Sequence, residues 1–510
     1  MQASSRVALN TFILYGRMIL TMGISLYSTR IVLKALGDLD YGIFNLIAGT
    51  IVMLSFLNAA MSTASQRYLS FHQGKKDYNK QKQVFTNSLF LHILLGILIV
   101  ILLEIAGLFL FDGFLNIPES RVHSAKIIYH YMAVTVFFTV IAVPFTGLLI
   151  AHENIWWVAI VNIVETFLKL AIAVSLFYIE FDKLITYGVL SASITIITFF
   201  LYAVFSFKRY SECTFENLFK PEKNSIRELT SFAGWNLIGA LCGMGRNQGL
   251  ALILNLFFGA VINAAYGIAS QVGAQLLFFS RTMLSALNPQ IMKSEGSGDR
   301  ERMLRLSMMA SKFGLFLLAI FAIPIIFEMP SILRFWLNDI PDHTIIFCRL
   351  VLIGSLTNQL TIGIQSAMQA YGDIKYYQII VGGMLLFNLP LAYAILKFSD
   401  FPPYSVLVSY VFIEFCACVL RLIFAKYKLK LSIKKYFENV IFKEIIALGI
   451  IILFNILVVE CIEMPYRFGF TLIVSFLISL PTIYVFGLNS AERLMLNGII
   501  NKLRLKIFKS

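Results

Sequence analysis

The sequence predicts an all-α polytopic membrane protein with about fourteen transmembrane helices, and three observations lead to that prediction. Of its 510 residues 58% are hydrophobic and 14% charged, with a mean hydropathy of +0.79, far more apolar than a soluble globular chain. The apolar residues form continuous runs close to the roughly 20 residues that a helix needs to cross a bilayer core; an outer-membrane barrel strand would alternate apolar and polar. Basic residues gather in every second loop, the asymmetry that orients helical membrane proteins.

In order along the chain, the first two crossings fall near 7 to 34 and 41 to 69, with LKALGDLDYGIF (33 to 44) between them. In that stretch Gly37 and Gly42 permit a reversal, Asp38 and Asp40 are solvated, and Lys34 anchors the end of the first helix at the interface. Crossings near 84 to 110 and 124 to 150 come next, followed by 155 to 179, which opens on the interfacial pair Trp156 and Trp157, and by 185 to 207. A second set runs near 229 to 256, 261 to 287, 304 to 329, 343 to 370, 376 to 397 and 404 to 425, and a final pair near 441 to 461 and 467 to 487. Pro144, Pro324, Pro390 and Pro481 within these runs predict kinks. The chain then divides into an N-terminal lobe (1–207), a cytoplasmic linker (208–228), a C-terminal lobe (229–425), a basic cytoplasmic loop (426–440), the helix pair (441–487) and a basic cytoplasmic tail (488–510).

An even number of crossings puts both termini on one side. One set of loops carries Lys75, Lys76, Lys80 and Lys82, then Lys208 to Arg227, Arg300 to Arg305, Lys426 to Lys435, and Arg493 to Lys509; the other holds only Lys34, Arg121, Lys126, Lys183, Arg334, Lys397 and Arg467. The basic set, with both termini, is therefore expected in the cytoplasm. The net charge of +14 is on this view a topological signal, available to membrane lipids, and no basic patch on a folded soluble domain points to nucleic acid. MQASSRVALN leads into a retained first crossing without a cleavage pattern. No soluble insert offers room for an enzyme domain, and no GxxxxGK[ST] motif for an ATPase, so a non-enzymatic transporter is expected, drawing on a Na⁺ or H⁺ gradient. The six cysteines have no metal-ligand spacing, so no metal, cofactor or disulfide is expected.

The chain also resembles itself. LGDLDYGIFNLIAG (36 to 49) is echoed by FGAVINAAYGIASQVG (258 to 273), each a glycine after a bulky apolar residue and then Tyr-Gly-Ile. Each copy is followed by a helix and a polar segment ending in aspartate, at Asp77 and Asp299, and preceded by a helix with a central arginine, Arg17 and Arg246. Six crossings separate the copies, so the repeat is parallel, an arrangement found in transporters built from two bundles.

A charged side chain at a helix centre costs roughly 2.5 to 3.5 kcal/mol on insertion scales, so it faces a cavity or a partner. Arg67 and Arg421 lie close to cytoplasmic helix ends, where long basic side chains reach the headgroups. Arg281 and Lys312 are about two turns in by the helical rise, and Arg30 and Arg349 are nearer the outer face. Arg17, Arg246 and Lys169 are the deepest and lead the list of substrate contacts. Glu165 and Lys169 are spaced i, i+4, suited either to a structural pair or to substrate. Glu414 is a coupling carboxylate or the partner of Arg421, two turns on. Intramembrane cations outnumber acids, which points to an anionic substrate; phosphate and pyrophosphate suit the planar guanidinium fork. His92 and His130 are isolated and read as core histidines.

These residues carry a resemblance. Arg30, LGDLDYGIF and the cluster at Gln66 and Arg67, then GAVINAAYGIASQV with LNPQIMKSEGSGDRERM, and later LRFWL and MQAYGDIKYYQIIVGG, resemble the Wzx-type polysaccharide repeat-unit flippases of the multidrug/oligosaccharidyl-lipid/polysaccharide exporter superfamily, over residues 5 to 425. The resemblance implies two pseudo-symmetric six-helix lobes around a central cationic cavity, with two further C-terminal helices. It implies translocation of undecaprenyl-pyrophosphate-linked oligosaccharides to the outer leaflet by alternating access, for O-antigen, capsule or other surface polysaccharide. Arg17 and Arg246, facing each other, would bind the headgroup with Lys169 assisting, and Arg30, Arg281, Lys312 and Arg349 complete the substrate-binding set. Glu165 and Glu414 would serve as coupling or structural pairs. A polysaccharide polymerase and a chain-length protein are expected partners. The alternatives are a lipid II flippase, or a multidrug or cation antiporter, which would carry an acid where Arg17 and Arg246 stand.

Overall fold

A computed structural model describes the chain except for residues 1–2, 53–54, 112–116, 217, 219–221, 338–339, 463, 465, 495 and 499–510. Much of the expected basic tail, and the side chain of Asp38, lie outside the described residues. Among the described residues twelve helices are long and apolar enough to cross a membrane, and a thirteenth span is a helix pair bent by 44°. The expected crossing at 41 to 69 accounts for the difference from fourteen: it is helical to Val52 and again from Ser55, and the apolar stretch described within it, Leu39–Ala48, is short. The chain divides into two compact units, Leu9–Leu237 and the residues from Ile238 onward.

The first unit contains α1 (Ala3–Val52), α2 (Ser55–Lys75), α3 (Tyr78–Phe109), α4 (Glu119–Ile141), α5 (Val143–Ala151), α6 (Ile155–Ser175) and α7 (Lys183–Arg209). The reversal expected across Gly37 and Gly42 is a one-residue break at Gly37 (φ 78°, ψ 169°), and Gly42 remains helical. The same break recurs at Gly259 (φ 79°, ψ −170°) between α8 (Lys223–Phe258) and α9 (Ala260–Gly296). Only glycine adopts this backbone region readily. Neither glycine has a neighbour that an added Cβ would meet, so the requirement is conformational. Forty residues beyond each glycine stands an aspartate that caps a helix. Asp77 accepts from the Lys80 N–H at 3.1 Å and Asp299 from the Arg302 N–H at 2.9 Å, satisfying orphan donors at the helix start. The repeat is thus written in backbone geometry.

The core of this unit lies between α3, α4 and α7, where Ile99, Leu103, Ile128, Tyr129 and Leu184 are buried. The Tyr129 hydroxyl donates to the Leu103 carbonyl at 2.5 Å, and Gly188 lets α7 approach the Ile128 side chain. At the end of the bundle where α4 begins, Arg121 bridges Asp40 and Asp182. Asp40, expected to be solvated in a turn, is instead a helical ion-pair partner whose side chain is 16% exposed. Asp182 also caps α7, accepting from the Leu184 and Ile185 N–H groups at 3.0 and 3.1 Å. Burial works to raise the pKa of its carboxyl, but the Ile185 N–H, the Ser124 hydroxyl and Arg121 outweigh that and hold it below the usual aspartate value.

The second unit continues with α10 (Arg300–Phe327), α11 (Met329–Trp336), α12 (Thr344–Gln359), α13 (Ile362–Tyr371), α14 (Lys375–Phe398), α15 (Ser405–Leu429), α16 (Ile433–Tyr436), α17 (Phe442–Cys461) and α18 (Arg467–Thr482). Pro324, Pro390 and Pro481 lie within α10, α14 and α18, and Pro144 opens α5. The 44° bend, however, lies between α12 and α13, where there is no proline. At that break the Ile364 N–H turns to the Thr361 carbonyl, which releases the Leu360 carbonyl and the Gly363 N–H. A backbone group freed at membrane depth must find another partner. The Tyr436 hydroxyl donates to the Leu360 carbonyl at 2.5 Å, and the Gly363 N–H donates to Ser311 Oγ at 3.0 Å. Gly363 brings α13 directly against α10: a Cβ there would lie 1.9 Å from the Ser307 carbonyl oxygen.

The last two long helices are tied to the unit at both ends. Arg467 Nε donates to Glu328 at 2.8 Å, as does the Thr471 hydroxyl. At the other end Lys312 Nζ lies 2.6 Å from Glu492 and donates to the Asn439 carbonyl at 3.0 Å. Lys312, expected among substrate contacts, is engaged in this tie.

Candidate functional site

Each unit holds an intramembrane polar cluster. In the first unit, α1 contributes Arg17, α6 contributes Asn162, Glu165 and Lys169, and α7 contributes Tyr202. Asn162, Glu165 and Lys169 share a face of α6 by their spacing of three and four. Lys169 Nζ and Glu165 Oε1 are 2.6 Å apart, with side chains 51% and 28% exposed, so Lys169 is less enclosed than its depth in the sequence suggests. The Tyr202 hydroxyl donates to Asn162 Oδ1 at 3.3 Å, and the ring lies close enough to Arg17 and Glu165 to feel both charges. Arg17 is half-buried, and among the described residues no carboxylate pairs with it. The cluster therefore presents one uncompensated guanidinium beside a neutralised pair and two hydroxyl- and amide-bearing side chains.

In the second unit, Glu414 of α15 lies between two arginines. Arg246 Nη1 of α8 donates to it at 2.6 Å, Asn358 Nδ2 of α12 at 3.1 Å, and Arg421 Nη2 lies 3.9 Å away. Arg421 also donates to the Thr361 hydroxyl, at the α12–α13 bend, at 3.2 Å. The Arg246 guanidinium stands 4.5 Å from the Tyr410 ring centre, a cation–π contact. Glu414, Arg421 and Arg246 are 1%, 3% and 6% exposed. Two guanidiniums against one carboxylate leave a buried surplus of positive charge.

The other sequence candidates are dispersed. Arg30 and Arg281 are exposed; Arg349 donates to the Ile326 carbonyl at 2.9 Å; Lys312 belongs to the Glu492 tie. Arg17 and Arg246 do not occupy equivalent positions of the repeat, since Arg17 precedes its break glycine by twenty residues and Arg246 by thirteen. Two arginines read as reaching for headgroups are instead enclosed. Arg421 is buried beside Glu414, and Arg67, 5% exposed, lies over the rings of Tyr68, Phe71 and Phe232. Asn162, Tyr202, Asn358 and Tyr410 escaped the sequence reading; the available signal was a polar atom in an apolar run at helical spacing from a charge.

The comparisons with known proteins agree with this architecture. The family model described as "Polysaccharide biosynthesis protein" matches residues 7–295. The chain belongs to that family. A search of curated proteins gives no match. Among solved structures, the chain is similar to a MATE transporter in the bent conformation, at 14% identity over 84% of this chain and 98% of that one, with a TM-score of 0.73. It is similar to an outward-facing multidrug resistance MATE transporter of the MOP superfamily (15%, 84% and 95%, TM-score 0.72). A MOP superfamily transporter from Pyrococcus furiosus gives 15%, 84% and 96%, with a TM-score of 0.71. This member of the polysaccharide biosynthesis family is therefore a multi-pass membrane protein with the MATE-like transporter fold.

Proposed function

We propose that the chain is a flippase that moves an undecaprenyl-pyrophosphate-linked oligosaccharide repeat unit from the cytoplasmic to the outer leaflet of the bacterial plasma membrane, with both termini cytoplasmic and a cycle of alternating access. The family supports a role in polysaccharide biosynthesis, and the fold supports transport. The observation that carries the reading is Arg17, a half-buried guanidinium on an apolar helix that no described carboxylate neutralises. A pyrophosphate offers such a group bidentate oxygens, whereas a cationic drug would be repelled. The Pyrococcus furiosus transporter, whose binding pocket is described as having reversed polarity that suggests a different function, supports polarity as a mark of substrate class in this fold. Arg246 acts on this reading through the surplus charge of its cluster, since its own guanidinium is engaged with Glu414.

The test is surface glycan in cells lacking their own flippase, supplied with variants matched for membrane level. Arg17→Ala should reduce surface glycan by at least about tenfold, the loss of roughly 1.4 kcal/mol of binding, and Arg17→Glu should abolish it. Arg17→Lys should restore only part, because an ammonium lacks the planar fork. Full export by Arg17→Glu removes the headgroup role. Rescue of peptidoglycan precursor export instead of surface glycan would assign the chain to lipid II.

A further inference from the structure

The buried carboxylates of the membrane-spanning region are nearly all accounted for by partners. Glu328 accepts from Arg467 and Thr471, and Glu414 accepts from Arg246 and Asn358. Glu492, in the segment after α18, faces Lys312 and accepts from the Asn489 N–H at 2.8 Å. Glu444 is different. It lies in the first turn of α17 with 0% exposure, and neither of its carboxyl oxygens has a hydrogen-bond partner.

A carboxylate enclosed without donors is strongly disfavoured, whereas the neutral acid is tolerated there. Among the described residues one cation acts on Glu444, and it is shared. Lys312 of α10 is close enough for its charge to act on Glu444, but its ammonium is already held by Glu492 and the Asn439 carbonyl. The remaining neighbours add no second base. Tyr436 of α16, on which the charge of Glu444 acts, donates its hydroxyl to the Leu360 carbonyl, and Lys443, the residue before Glu444 in the chain, acts on Lys312. Two carboxyl groups thus compete for one ammonium.

We infer that Glu444 is a proton-binding site within the bundle, and that its proton decides how Lys312 is shared. With the proton on Glu444, Lys312 belongs to Glu492 and holds the segment after α18 against α10. When the proton leaves, Glu444 becomes a second anion beside Lys312 and draws on the ammonium that makes that tie. Neither Glu165 nor Glu414, the sequence candidates for coupling, offers this, because each already has a cationic partner. Resting on the flippase reading, the site gives a proton gradient a place to act on the C-terminal helix pair.

The test uses the full chain in lipid vesicles and needs no substrate. Infrared difference spectra between neutral and alkaline pH should show the carbonyl stretch of a protonated carboxylic acid, downshifted by H–D exchange and lost in Glu444→Gln. In Glu444→Asp, the band should persist at a shifted frequency, which separates loss of the site from loss of the fold. Lys312→Met should extend the band to higher pH, since the ammonium favours the ionised form. The same band in wild type and Glu444→Gln, or its absence from folded wild type, overturns the proposal. Surface-glycan export provides the second arm: Glu444→Gln should lose at least about tenfold of the export that a protonophore abolishes in wild type. Loss of the band in Glu444→Gln together with wild-type export in that variant overturns the coupling role and leaves the flippase reading standing; a normal band with no export by wild type overturns the flippase reading alone.

Discussion

Glu414→Ala should destabilise the second unit severely. In the wild-type structure one carboxylate, 1% exposed, accepts from Arg246 at 2.6 Å and from Asn358 at 3.1 Å and stands 3.9 Å from Arg421. Truncation to alanine leaves two guanidiniums, 6% and 3% exposed, facing each other across the vacated site. Removing one partner of a buried ion pair costs about 3–5 kcal/mol, a roughly 10²- to 10⁴-fold shift in the folded ratio, and here two cations lose the same counter-charge. At about 2 °C per kcal/mol for a unit of this size, the midpoint should fall on the order of 10 °C. Thermal unfolding of purified protein, followed as the loss of monodisperse material, measures it. Glu414→Gln keeps an acceptor but not the charge and should fall in between. Pairing Glu414→Met with Arg246→Met removes the guanidinium beside Tyr410 and should recover part of the loss, since an apolar pair often replaces a buried ionic one without penalty while Arg421 stays buried without its carboxylate. A Glu414→Ala protein melting within about 2 °C of wild type, less than the shift expected for 1 kcal/mol, would refute the buried triad.

Three further outcomes follow from single positions. Gly37→Ala and Gly259→Ala should each cost about 1–3 kcal/mol, and by similar amounts, because both glycines hold the same glycine-only backbone with free space around them; unequal melting shifts would break the equivalence of the two copies. Gly363→Ala places a Cβ 1.9 Å from the Ser307 carbonyl oxygen, so it should lower the melting midpoint by the equivalent of at least about 2 kcal/mol and separate α10 from α13, whereas Gly383→Ala, with open space, should be silent. For Asp182 the folded carboxyl titrates below its unfolded value. Its contribution is therefore complete above about pH 4, the ordinary aspartate value, and is lost as pH falls through the lower folded value; Asp182→Asn should weaken that acid-side decline, read as melting midpoint against pH.

The fold was legible because bilayer thickness imposes a length on each apolar run, and because the repeat left local marks. The glycine after a bulky residue and the aspartate forty residues later are both backbone requirements, so they survive where side chains have drifted. Position within a run was a poorer guide to chemistry. Arg421 sits close to a helix end and reads as a headgroup contact, yet its neighbours Glu414 and Thr361 draw it inward. Lys312 reads as a cavity residue, yet its partner Glu492 is 180 residues away in sequence. Arg246 and Glu414 are 168 residues apart, a pairing that only helix packing creates. Glu165 and Lys169 could be read as a pair because one turn of a helix is enough to bring them together.

The break between α12 and α13 leaves backbone groups without helical partners, among them the Leu360 carbonyl and the Gly363 N–H, and the chain supplies these two from different segments. Ser311 comes from the neighbouring helix α10, but Tyr436 comes from the short helix that begins the C-terminal module. If the bent span straightened, Leu360 would regain its own helical donor and the Tyr436 hydroxyl, 0% exposed at its residue, would lose the carbonyl to which it donates. Bending of the span and seating of the C-terminal module therefore stand on the same side of one equilibrium, and a clamp applied to either is felt by the other.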